Sequence, residues 1–229
     1  MEYLSRIKSE WLTFAESKAR RIEFLFSATL ITTIMFCLLF YLRYNETRAG
    51  VVLQDPLIAM IPPADLSNLT FVLIYSGIVS TVIMLLTHPM RLTIGFQIYA
   101  VYAALRLLGM WLVPLEPPAG FIPLVDPLMA WAHTGQQLNK DLFFSGHTAT
   151  MFICYLILPP GWGRPIFLVG VVVMGVCLIV QRVHYSVDVL SAPVLLLWRD
   201  GSRDASAPIM RIKRRHERLK PICLRQLHL

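Results

Sequence analysis

The chain has 229 residues, of which 56% are hydrophobic and only 15% charged, with a formal net charge of +7. Soluble domains carry about a quarter charged residues, so this chain has too little charge to cover a water-facing surface. Its basic residues gather at the two ends without the aromatic interleaving of a nucleic-acid surface. Nucleic acid is therefore not expected as a partner, and the positive charge reads as membrane topology or contact with anionic headgroups.

In chain order, residues 1–23 come first. They are too charged for a signal peptide. Tyr3, Ile7, Trp11, Phe14 and Ile22 recur at helical spacing among Arg, Lys and Glu, which predicts an amphipathic helix on the cytoplasmic membrane surface or one packed on the domain. Apolar blocks follow at 24–42, 69–87, 92–114, 143–158, 166–180 and 185–198. A bilayer crossing takes about 20 residues, so the last three sit near the lower limit, and Pro193 interrupts the sixth. The predicted fold is all-α: an integral membrane bundle of six transmembrane helices over 24–198, with a basic cytoplasmic tail over 199–229. Cys37, Cys154 and Cys177 lie in apolar blocks and Cys223 in the tail; free thiols are expected.

An even number of spans puts both termini on one side, and the positive-inside rule makes that side cytoplasmic. Span four then descends from the outer or lumenal face, carrying His147 at its mouth in "DLFFSGHTAT". Span five returns to that face and delivers "QRVHYSVDV", with His184 at the entrance to span six. The two histidines meet at one face whichever way the protein is inserted.

His184 and Asp188 are four apart, hence on one face of a helix that starts by Tyr185. A carboxylate on one imidazole nitrogen fixes the tautomer and makes the other nitrogen more basic, as a nucleophile needs. His147 opposite could protonate a leaving oxygen. Arg106, inside span three, and Arg182 are candidates to hold a phosphoryl group, together with Ser145 and Gly146. Each has a plainer reading: Ser145 as a helix cap, His184 and Asp188 as a structural pair, Arg106 snorkelling or bonded to backbone carbonyls. His88 reads as a loop residue. His133 is a weak candidate for substrate contact, and His216 and His228 read as tail residues. The outer loop 115–141 is a candidate lid over a lipid site.

"DLFFSGHTAT" followed by "HYSVDV" resembles the paired catalytic motifs of the sphingomyelin synthase family, a branch of the type 2 phosphatidic acid phosphatase superfamily. "IPPADL" (61–66) is similar to that family's proline-rich motif, and the stretch 91–118, with its internal Arg and terminal Pro pair, is similar to its third-span motif. The resemblance implies a His147–His184–Asp188 triad in which His184 attacks phosphorus, Asp188 orients it and His147 serves as acid, then base. It implies transfer of a phospho-headgroup from a glycerophospholipid to ceramide with release of diacylglycerol, without a metal or other cofactor. With water as acceptor the same site would be a phospholipase C-type or lipid phosphate hydrolase. The lysine-rich phosphate motif of the superfamily's monoester phosphatases is absent, and a diester, with one negative charge rather than nearly two, needs fewer cations. Arg182 stands where the synthases carry another His, which leaves the headgroup open. Neither motif sets an oligomeric state.

Overall fold

The structure, a computed structural model, describes residues 2–126, 138–161, 163–194 and 196. Among them the chain is helical, with one isolated bridge between Val51 and Leu115 and no strand. The helices are α1 (Glu2–Glu16), α2 (Lys18–Glu46), α3 (Pro56–Met60), α4 (Ser67–Leu85), α5 (Pro89–Leu112), α6 (Gly146–Ile157), α7 (Gly163–Val180) and α8, described over 186–194. Beyond Pro193, where the first unit ends, only residues 194 and 196 are described. The basic tail with Cys223, His216 and His228, the end of the sixth block, and His133 lie outside the described residues.

Four helices, α2, α4, α5 and α7, are long and apolar enough to cross a membrane. Large apolar side chains such as Phe26, Phe36 and Phe40 on α2, and Val169, Val172 and Val176 on α7, remain exposed, as the outer surface of a bundle in lipid requires. These features mark an integral membrane protein. The expected count of six spans is not reached in this way. α6 has 12 residues and rises only about 18 Å, against a hydrocarbon core of about 30 Å. Its ends explain why: Ser145 caps the start, and at the other end Leu158 is extended because Pro159 follows. α6 is also apolar and buried on every side, with Ala149, Met151, Phe152, Ile153 and Cys154 all covered. Such a helix belongs in the middle of a bundle rather than against lipid.

The end of the bundle away from His147 is closed by polar contacts. Arg91 donates from Nη1 to the carbonyls of Ile157 and Leu158 at 3.2 and 3.0 Å, and Arg164 from Nε to Tyr155 O at 3.2 Å. The last carbonyls of α6, which no helical turn can satisfy, thus find their donors in arginines of the first turns of α5 and α7. α1 packs on the same end. Trp11 Nε1 donates to Leu86 O at 2.8 Å, the Tyr3 hydroxyl donates to Ile83 O, and Phe14 is buried against Trp11 and Phe24. His88 stands in the α4–α5 turn as the residue before α5.

Candidate active site

Two helix starts build the site. At the first, the Ser145 Oγ accepts from Thr148 N at 3.4 Å and from Thr148 Oγ1 at 3.1 Å, so the plain capping role is realised. His147 follows in the first turn of α6, with its ring edge-on to Phe71 at a centroid distance of 6.1 Å. Its Nδ1 is buried and has no hydrogen-bond partner among the described residues. At the second start, α7 ends and the chain turns through residues 181–185, with Arg182 left-handed at φ +59°. His184 is 1% exposed and Asp188 3%.

One backbone hydrogen bond ties the two starts together: Ser145 N–H donates to Asp188 O at 3.2 Å. Motifs far apart in sequence therefore share a single scaffold point.

His184 Nδ1 lies 3.7 Å from Asp188 Oδ2. That is an ion-pair separation, longer than a hydrogen bond. The helix opens at 186, so His184 stands just before it instead of on its face. The same Oδ2 accepts from Tyr185 N at 3.4 Å, the reach-back of an acidic residue at the third helical position. Asp188 thus serves as cap and as neighbour of His184 at once.

Arg106 crosses from α5 to the segment before His147. Its Nε donates to Phe143 O at 3.3 Å, Nη2 pairs with the Asp141 carboxylate, and Nη1 lies against Gly146, where any Cβ would collide with it. Gly146 is required for that close approach. Arg182 instead faces carbonyls, donating to Ala119 O at 2.6 Å, Ile61 O at 3.1 Å and Ile58 O at 3.5 Å. These bonds strap the two loops 47–66 and 113–126 to the turn that bears His184. "IPPADL" belongs to the same strap: Ala64 N donates to Val180 O, and Leu66 N to Gln181 Oε1.

Sequence reasoning missed Asp55. Its Oδ2 accepts from Ser186 N at 2.7 Å and Ser186 Oγ at 2.8 Å, while Oδ1 accepts from Leu57 N and Ile58 N. Burial pushes this carboxyl up, but the donors from Ser186, Ile58 and Leu57 outweigh it and hold the carboxyl below its ordinary value. The Asp55–Pro56 pair could have flagged the start of α3, since Asp favours the cap and Pro the first turn. Nothing in the sequence points across to Ser186.

A cavity of about 500 Å³ opens beside His147. His147, Arg106, Asp141 and Gly146 line its polar end. Apolar side chains of α2, α4, α5 and α6 line the rest, down to Leu92, Leu85 and Ile157. From Arg106 to Leu92 along α5 it runs about 21 Å. His184, Asp188 and Arg182 are not on its wall.

No curated protein matches the chain. A family model described as PAP2 superfamily C-terminal matches residues 140–198, the stretch that holds both histidine motifs. That match supports an enzyme with lipid phosphatase or phosphotransferase activity in general, and the type 2 phosphatidic acid phosphatase superfamily as the group this part of the chain is similar to.

Proposed function

We propose that the chain is a membrane phosphotransferase that moves a phospho-headgroup from a glycerophospholipid to a lipid acceptor such as ceramide. The observation that carries this reading is the cavity, apolar over most of its length and polar where it meets His147 and Arg106. Its volume is that of a small-ligand site, and its polarity is that of a lipid.

His184 is the nucleophile; it lies off the cavity wall, so the phospho-headgroup must reach it beyond the polar end that His147 and Arg106 line. His184 Nδ1 is the nitrogen facing Asp188, which leaves Nε2 to attack phosphorus while the carboxylate stabilises the charged ring. In the first half-reaction the N–P bond forms, the P–O bond to diacylglycerol breaks, and His147 gives its proton to the departing oxygen. In the second, His147 takes the proton of the acceptor hydroxyl, the new O–P bond forms and the N–P bond breaks. Because diacylglycerol leaves before the acceptor arrives, one cavity serves both lipids.

Charge favours a diester. The guanidinium of Arg106 is already paired with Asp141, so little net positive charge is left for a monoester with nearly two negative charges. By the positive-inside rule both termini lie in the cytoplasm and the histidines face the outer or lumenal leaflet.

The test is a product assay on purified protein in mixed micelles, offering phosphatidylcholine, phosphatidylethanolamine and phosphatidylinositol, each with and without ceramide. Phospho-headgroup on ceramide is the expected result and names the donor. Diacylglycerol with free phospho-headgroup, regardless of ceramide, would make water the acceptor and the protein a hydrolase.

A further inference from the structure

We infer that Tyr102 and Arg106 are positioning residues that hold the turn aiming His147, an inference that rests on the role proposed for that histidine. The two residues before the Ser145 cap, Phe143 and Phe144, have φ of 97° and 48°. Side-chain-bearing residues adopt positive φ reluctantly, and bulky ones least of all. Two in succession persist only where the surroundings impose them.

The surroundings here are one face of α5. Tyr102, Arg106 and Gly109 recur at the spacing that aligns side chains on a helix. The Tyr102 hydroxyl donates to Phe144 O at 2.5 Å, and Arg106 Nε donates to Phe143 O. Gly109 leaves the room in which the Phe143 ring sits; any Cβ there would run into that ring. Tyr102 is 2% exposed, so its hydroxyl has no water to bond instead. Two adjacent carbonyls of a strained turn are thus each held by a donor one helical turn from the other. The turn leads straight into Ser145, whose N–H reaches Asp188 O. Holding the turn therefore fixes His147 relative to the segment that bears His184.

The test is Tyr102→Phe, which removes one hydroxyl, compared with the double variant Tyr102→Phe/Phe144→Gly. Glycine adopts positive φ without strain, so the second change should make the clamp unnecessary. The expected result is a kcat lowered about tenfold, the rate equivalent of one hydrogen bond, with KM little changed, and recovery of most of that loss in the double variant. Amide hydrogen exchange over 143–149 should quicken in Tyr102→Phe and slow again in the double variant. That readout needs no substrate, so it separates failure of this inference from failure of the proposed reaction. Unchanged exchange and kcat in Tyr102→Phe would overturn the inference, as would a loss that Phe144→Gly does not repair. If Tyr102→Phe fails to insert, Arg106→Lys, which keeps the charge facing Asp141 but loses the Nε donor, is read by the same exchange measurement against Arg106→Lys/Phe143→Gly, with the same two outcomes.

Discussion

Replacing Asp55 by Ala should loosen the turn that carries His184, although Asp55 is far from it in sequence. Four donors converge on this carboxylate: Ser186 N and Oγ on one oxygen, Leu57 N and Ile58 N on the other. Hydrogen bonds to a charged group contribute about 1.5–3 kcal/mol each. Asp55 is half-buried, so the low end applies, and the two bonds to Ser186 together are worth roughly 3 kcal/mol of local stability. At 1.4 kcal/mol per factor of ten, amides over 183–189 should open on the order of a hundred times more often. Asn should fare little better than Ala, because its one oxygen can serve Ser186 or the α3 amides but its NH₂ then confronts the other donors. The sign with pH follows from the carboxyl being held below its ordinary value. Its contribution is complete above that ordinary value, near pH 4, and is lost as pH falls through the lowered one. Wild-type exchange over 183–189 should therefore quicken on acidification, after correction for the intrinsic rate, whereas Asp55→Ala should show no such step. Native-state hydrogen exchange read by mass spectrometry provides the assay, with kcat measured beside it. Exchange in Asp55→Ala that matches the wild type would refute the reasoning.

Two further outcomes are expected. Asp188→Asn keeps an oxygen that can cap Tyr185 N, so the protein should insert and melt much as wild type while turnover drops roughly a thousandfold; a drop of less than tenfold in the product assay would remove Asp188 from the mechanism. Gly95 lies on the cavity wall about 16 Å from Arg106 along α5, and a Cβ there meets only the tip of Ile157 at 2.9 Å. Gly95→Leu should therefore fold, fill the apolar end and shift preference toward short-chain phospholipids in competition assays. An unchanged chain-length profile would separate the cavity from the substrate.

The long spans were legible because uncharged blocks leave few alternatives, and α2, α4, α5 and α7 lie where those blocks fall. α6 was harder, since its apolar run was visible but its 12 residues are set by the Ser145 cap and Pro159. The candidate site residues could be named from spacing and motif. What they touch could not. Arg182 was a candidate for phosphate, yet at its left-handed φ its guanidinium faces three backbone carbonyls, of Ala119, Ile61 and Ile58, and backbone sign is not written in side-chain identity. The His184–Asp188 spacing suggested a shared helix face, whereas the helix opens just after His184 and leaves 3.7 Å between the groups. Asp55 and Tyr102 act on backbone atoms of distant turns, and no pattern of residue types advertises such a partner.

The claim that His184 carries the phospho-headgroup is tested most directly by acid-sparing quench of the protein after mixing with donor phospholipid alone, followed by mass spectrometry of its peptides. The account predicts a phospho-headgroup adduct on the peptide that begins at Val183, absent from His184→Ala, and discharged when ceramide is added. An adduct on the peptide carrying His147, or ordinary turnover by His184→Ala, would contradict it.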